Sequence, residues 1–379
     1  MKALAPTAFA QVQAGPDALT LLKDGAQAYP AMLAAISRAR STVCLETYIL
    51  RDDLTGRRFA EALCERARAG IEVNVLYDDW GSSMTPGLSS MLAAAGARTL
   101  AFRPVVFTGR FGKLLARLRR RDHRKALVVD GEVAFLGGLN ISDNYASVAD
   151  GGQGWRDTQV QLDGPAALPL QRLFLVTWAR NGGAPLDPTR YAQPLGPPSG
   201  VRIVGNDFRA DRKQIRAAYL VAIRSARSRI RLTHAYFLPP ARIVRELQRA
   251  ARRGVQVSII SAASSDVPLV VIAARGEYGK LLRHGIRIFE WSGPVLHAKT
   301  AVVDGRWATV GSANMDALSL RANLEVNAVL ENEPFALALE RMFEQDLAHC
   351  AEVTWAAWKT RPWYVRLLSS LVGRLRNWL

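Results

Sequence analysis

Two stretches of this 379-residue chain carry the same chemistry-bearing residues at the same spacing. The first, from His123, reads HRKALVVDGEVAFLGGLNISD; the second, from His297, reads HAKTAVVDGRWATVGSANMD. Each places a lysine two residues after the histidine (Lys125, Lys299) and an aspartate five residues beyond that lysine (Asp130, Asp304). Each then runs through a small-residue pair to an asparagine: Gly137 and Gly138 before Asn140, Gly311 and Ser312 before Asn314. Imidazole serves as nucleophile and proton carrier near neutral pH, and a nearby ammonium holds an anion. The chain has five histidines, and two at matched places in a repeat point to one shared site containing His123 and His297.

Strand geometry says how these side chains meet. Residues two apart on a strand share a face, so His123 projects with Lys125 and His297 with Lys299. Asp130-Gly131 and Asp304-Gly305 are hairpin-turn signals. The next strand therefore folds back and carries Asn140 and Asn314 towards their His-Lys pairs, with the small residues leaving room for a ligand or a close backbone. Asp130 and Asp304 travel with the motif as catalytic candidates. Their position seven residues past the histidines, at a strand end, favours a structural role over contact with substrate.

The elements around the motifs repeat as well. The stretch from Ala35, AISRARSTVCLETYIL, returns from Ala222 as AIRSARSRIRLTHAYFL. Each copy leads into an amphipathic helix closed by a glycine in the C′ position, Gly70 or Gly254, then another strand, a further helix and a third strand. This order implies parallel strands joined by helical crossovers. The expected fold is α/β: two similar halves forming a pseudo-dimer, each a mixed, mainly parallel sheet flanked by helices. The halves are expected at 1–190 and 206–350, joined across the Pro- and Gly-rich stretch from Pro185 to Gly205, with an amphipathic tail at 351–379.

Hydrophobic residues make up 49% of the chain and charged residues 22%, which excludes a mainly disordered protein. A formal charge of +17 and a pI near 10.4 favour phosphate-bearing polymers or anionic membrane surfaces as partners. No run approaches the roughly twenty apolar residues of a membrane span, and the short apolar start, broken by Pro6, reads as a loose segment and not a signal peptide. Cys44, Cys64 and Cys350 form no CxxC pair and are expected to be buried free thiols of a reducing compartment. No carboxylate or Cys/His cluster of metal-ligand spacing is evident, so neither metal nor cofactor is expected.

Two segments bear on the partner. Gly109 to Lys125 is strongly basic and interleaved with Phe111, Leu114, Leu115 and Leu118, suited to an anionic bilayer or to a nucleic-acid backbone. The last stretch, from Trp355, sets Tyr364, Leu367, Leu368, Leu371, Val372 and Leu375 on one helical face with Arg366, Arg374 and Arg376 largely off it. Such a helix either anchors at a membrane interface or docks on its own domain; both readings stand.

The duplicated His-x-Lys-x4-Asp motif, with small residues and Asn beyond it, resembles that of the phospholipase D superfamily, from about Asp17 to Leu330. Glu46 and Tyr48 in LETYIL, the run Tyr77 to Ser82, Trp155 and Asp157 in WRDTQVQLDGPAA, and Arg321 and Glu325 in LSLRANLEVNAVL look like its bacterial cardiolipin synthase branch, in the form without N-terminal transmembrane helices. The resemblance implies that His123 is the nucleophile, passing through a phosphohistidine, and that His297 is general acid and then base. Lys125, Lys299, Asn140 and Asn314 would surround the non-bridging oxygens, and Asp157 and Glu325 would orient the imidazoles, with the pairing open. It implies anionic phospholipid substrates: one phosphatidylglycerol donates its phosphatidyl group, glycerol leaves, and a second lipid alcohol completes cardiolipin. Hydrolysis by water, or a superfamily nuclease, is the alternative, with nucleic acid disfavoured by the Trp-rich tail. The expected location is peripheral, at the cytoplasmic face of a bacterial membrane.

Overall fold

The computed structural model describes residues 8–104, 120–191, 198–206 and 213–361. The first half lays down β1 (Ala10–Ala14), β2 (Asp17–Lys23), α1 (Asp24–Ser37), β3 (Thr42–Thr47), α2 (Leu54–Arg68), β4 (Glu72–Asp78), α3 (Pro86–Ala94) and β5 (Arg98–Phe102). It continues through β6 (Ala126–Val129), β7 (Val133–Gly137), β8 (Thr158–Asp163) and α4 (Ala167–Arg180). The second half comprises β9 (Arg202–Asn206), α5 (Gln214–Ser225), β10 (Arg229–His234), α6 (Ala241–Arg252), β11 (Gln256–Ala262), α7 (Pro268–Leu282) and β12 (Arg287–Trp291). After it come β13 (Lys299–Val303), β14 (Trp307–Gly311), β15 (Glu325–Glu331), α8 (Glu333–Leu347), β16 (Cys350–Val353) and α9 (Trp355–Lys359).

Two eight-stranded sheets result, ordered β1-β2-β8-β7-β6-β3-β4-β5 and β16-β12-β11-β10-β13-β14-β15-β9. The repeat, the mixed sheets and the flanking helices are as the sequence implies, but the sheets are not mainly parallel. Only β3-β4-β5 and β10-β11-β12, the strands linked by helical crossovers, run parallel. Around them the Asp-Gly hairpins and short returns give antiparallel pairs, because a tight turn can only reverse the chain. Asp130 and Gly131 take φ of 54° and 68°, and Asp304 and Gly305 take 54° and 66°, the left-handed pairs such hairpins need. Gly70 and Gly254 close their helices at φ of 83° and 89°.

The sheets pack face to face, and this explains why their strands read as unbroken apolar runs. In β6 and β7, Ala126, Val128, Ala134 and Leu136 join a central core with Val302, Val310, Val326 and Ala328 of the other half. The alternate residues Leu127, Val129 and Phe135 face a separate core beneath α1, α2 and α3. Both faces are buried, so period-two patterning gives way to continuous hydrophobicity.

The half boundaries shift. Strand β9 pairs antiparallel with β15, so the second half starts before residue 206. Strand β16 closes the far edge of its sheet against β12, and Trp358 of α9 is buried with its ring 5.6 Å from Tyr278. The expected tail thus begins as part of the second half; its apolar face from Tyr364 lies outside the described residues, as does most of the basic stretch from Gly109. At the end of that stretch Arg121 and Arg124 are buried and so do not face a bilayer or a nucleic acid: they bind Asp78, and Glu46, Thr177 and the Asn206 carbonyl. Cys44 and Cys64 are buried free thiols, whereas Cys350 is half-buried. Among the described residues no helix is long and apolar enough to cross a membrane.

Candidate active site

His123 and His297 do not sit within strands; each lies on the extended segment that enters β6 or β13. That segment crosses to the other half. The His123 amide donates to the Leu324 carbonyl at 2.9 Å, and the His297 amide to the Arg156 carbonyl at 2.7 Å. Leu324 and Arg156 immediately precede Glu325 and Asp157, so each backbone bridge delivers a carboxylate to the opposite histidine. His123 Nδ1 lies 3.0 and 3.1 Å from the Glu325 oxygens, and His297 Nδ1 lies 2.7 Å from Asp157 Oδ2. The pairing left open by the sequence is therefore crosswise between halves.

Small residues make this possible. A Cβ on Gly138 would fall 2.1 Å from Asp157 Oδ1, so glycine there admits the carboxylate. At the equivalent place Ser312 donates its hydroxyl to Glu325 Oε2 at 2.5 Å. Lys125 Nζ donates to the His123 carbonyl at 2.6 Å, and Lys299 Nζ donates to the His297 carbonyl, so both ammonium groups are held beside the imidazoles.

The electrostatics are not symmetric. Burial, with Lys125 and Lys299 adding to it, holds His123 well below its ordinary value. Burial and Lys299 also lower His297, but Asp157 pulls the other way. For Asp157 burial is outweighed by His297 and Lys299, and its carboxyl lies below the usual range. Burial instead pushes Glu325 up to about 8, with Lys125 opposing. Burial also lowers Lys125 to about 7 and Lys299 to about 8. An ionised carboxylate beside His297 favours its imidazolium, while His123 is kept neutral.

The asparagines differ. Asn140 accepts from the Ile49 amide at 3.0 Å and donates to Tyr145 Oη at 2.7 Å, and the Tyr145 ring meets His297 edge-on at 5.2 Å. Its amide therefore braces the wall behind His297. Asn314 is buried, and its Oδ1 has no hydrogen-bond partner among the described residues. Asp130 and Asp304 are outside the site. Asp130 accepts from the Arg40, Ser41 and Thr42 amides at 2.8–2.9 Å, and Asp304 from the Arg227, Ser228 and Arg229 amides at 2.8 Å. Seven extended residues span roughly 23 Å, which puts each aspartate at the far end of its strand, pinning the turn into β3 or β10.

Three neighbours escaped the sequence reading. Arg156, beside Asp157, is buried and bidentate on Asp346 of α8 at 2.7–3.1 Å, locking the halves together next to the site. Tyr236 continues the register of β10 on β13, in which His234 opposes Lys299, and so lies across from His297. Its hydroxyl donates to Asp266 at 2.6 Å. The WRD triplet held a signal for Arg156; Tyr236 and Asp266 come from loops that carry no periodic pattern.

A family model described as cardiolipin synthase, PLD-like domain, matches residues 32–150 and 219–347, one segment in each half. The cardiolipin synthase of Geobacillus kaustophilus is 34% identical over 94% of this chain and 71% of its own length. Cardiolipin synthase B of Escherichia coli K12 is 34% identical over 91% of this chain and 84% of its own. Among solved structures, phosphatidylserine synthase of Haemophilus influenzae superposes with a TM-score of 0.72 over 97% of this chain and 96% of that one, at 13% identity, a likeness of fold. With both motif-bearing halves matched and the identity running along nearly the whole sequence, the chain belongs to the PLD-like cardiolipin synthase family.

Proposed function

We propose that this protein is a phosphatidyltransferase that makes cardiolipin from phosphatidylglycerol through a covalent phosphohistidine. The observation that carries the reading is the pair of His-Lys units, one from each half, whose imidazoles are each held by the other half's carboxylate. A phosphodiester resists attack because its charge repels nucleophiles and its alkoxide leaves poorly. Lys125 and Lys299 offset the charge on the non-bridging oxygens, and we assign the buried Asn314 amide to the same task. Neutral His123 attacks phosphorus through Nε2; the bond to the glycerol oxygen breaks, and His297 gives that oxygen its proton. A hydroxyl of a second phosphatidylglycerol then loses its proton to His297 and attacks phosphorus, and the P–N bond to His123 breaks.

The electrostatics and the family resemblance both support this division of roles. Asp157, ionised beside His297, suits the proton carrier; the depressed His123 suits the nucleophile. Glu325 and Lys125 titrate in the same range, about 8 and about 7. A phosphate oxygen arriving at Lys125 stabilises its ammonium, and that charge favours the ionised Glu325, which accepts from Nδ1–H of the neutral His123 and leaves Nε2 as the attacking atom. The protein acts peripherally, at the cytoplasmic face of a bacterial membrane.

The test is incubation with phosphatidylglycerol vesicles in EDTA, lipids followed by mass spectrometry, with His123→Ala and His297→Ala alongside. Cardiolipin and glycerol formed by wild type and by neither variant is the expected result. Phosphatidic acid alone would make the protein a hydrolase with the same first step, and activity surviving His123→Ala would overturn the site assignment.

A further inference from the structure

Of the large apolar side chains that stand exposed among the described residues, Leu54, Trp80, Val148, Val267 and Leu269 all lie on segments at one end of the sheets. It is the end at which β3, β4, β7, β10 and β11 finish and the histidine segments begin. Only Val176 and Val221, on α4 and α5, lie elsewhere. Trp80, 57% exposed, and Val267, 39% exposed, occupy corresponding loops, after β4 in one half and after β11 in the other.

Both loops are built against the site. The Trp80 amide donates to Asp78, and a Cβ on the next residue, Gly81, would lie 2.8 Å from the Tyr48 ring. That ring meets His123 at 4.8 Å between centroids. On the other side Val267 follows Asp266, the partner of Tyr236 across from His297. Leu269, 55% exposed, opens α7 two residues later. Exposed apolar side chains scattered singly need no explanation, whereas a set placed around one site does.

We propose that Trp80, Val267 and Leu269 form a membrane seat: they enter the interface of an anionic bilayer and hold the two histidines at headgroup depth. This rests on the phosphatidyl-transfer reading, since a two-chain lipid whose phosphodiester is met at its own depth need not leave the bilayer to react. Trp suits the headgroup boundary, and Val and Leu suit the acyl edge about 5–10 Å into it. The net charge of +17 favours an anionic surface.

The full chain carrying W80S, V267S and L269S tests the seat. With vesicles of phosphatidylglycerol and phosphatidylcholine, both the bound fraction and the rate are expected to fall at least tenfold. Turnover of dihexanoyl phosphatidylglycerol below its micellar concentration is expected to stay within twofold. Undiminished vesicle binding would overturn the proposal, and so would an equal loss on the soluble lipid, which would place these residues in the chemistry or the folding. A second readout does not depend on activity: brominated acyl chains should quench the fluorescence that wild type has and W80F lacks. Quenching without turnover of either lipid would leave the seat standing and sink the phosphatidyl-transfer reading.

Discussion

Asp157, in the first half of the chain, holds Nδ1 of His297, in the second, at 2.7 Å, and Glu325 does the same in reverse for His123. At the site, among the described residues, neither half completes an imidazole-carboxylate pair by itself. The carboxylates are not equivalent: Asp157 lies below its ordinary value, while Glu325 is pushed up to about 8. Asp157→Asn should therefore cost more than Glu325→Gln at pH 7. We expect losses in kcat on the order of 10³–10⁴ for the first and about 10–100-fold for the second, read from cardiolipin formation. Equal losses would contradict the asymmetry.

His297, which must carry a proton to release glycerol and is held below its ordinary value by burial and Lys299, sets the alkaline limb of activity first, and the lysines follow. In the free enzyme, kcat/KM should begin to fall below the ordinary histidine value as His297 loses its proton, and fall more steeply as Lys125 and Lys299 lose theirs at about 7 and about 8. In kcat the limb should move to higher pH, because bound phosphate stabilises the ammonium. His123 attacks only when neutral and is held well below the ordinary histidine value, so the acid limb should lie below pH 6.5. A profile centred on an unperturbed histidine would count against the burial argument.

Lys299→Met separates stability from chemistry. Burying an ammonium is costly, and the lowered value of Lys299 records that cost at neutral pH. The variant should lose activity by about 10²–10³-fold and gain about 1–4 °C in Tm, measured by scanning calorimetry. A lower Tm would mean that the bond to the His297 carbonyl outweighs desolvation.

Much of this arrangement is legible in the sequence, because it is local. His-x-Lys, the Asp-Gly hairpins and the C′ glycines are fixed by neighbours a few residues apart, and the duplication doubles each signal. The crosswise pairing is not local: Asp157 and Glu325 follow their motifs in like contexts, and only the Arg156 and Leu324 bridges decide which histidine each reaches. The prevalence of antiparallel pairs depends on which edge each return strand takes, which hydrophobicity does not encode once both faces are buried. Tyr236 and Asp266 meet across a loop with no period to betray them.

Asp130 and Asp304, though part of the motif, should behave as structural residues. Asp130→Ala strips three amides of their acceptor and should lower stability by about 1–3 kcal/mol. The folded fraction should keep kcat within about threefold, since substitutions remote from the chemistry that leave a site's geometry intact act mainly on stability. A large fall in kcat with unchanged denaturation would put the aspartate back in the reaction.

Gly138→Ala probes the room left for Asp157. The added methyl would sit 2.1 Å from its carboxylate, which must move off His297 Nδ1. Activity should fall towards that of Asp157→Asn, with the pH profile altered in the same way; an active Gly138→Ala enzyme would show that the contact is dispensable.

The central claim is that phosphorus is carried on His123. Phosphatidylglycerol labelled with ³²P at its phosphate, mixed with enzyme and quenched in alkali, should leave an alkali-stable, acid-labile label on the peptide containing His123. The label should be absent from His123→Ala. Label on His297 would exchange the two roles, and wild-type turnover with no labelled protein at any time point would contradict a covalent path altogether.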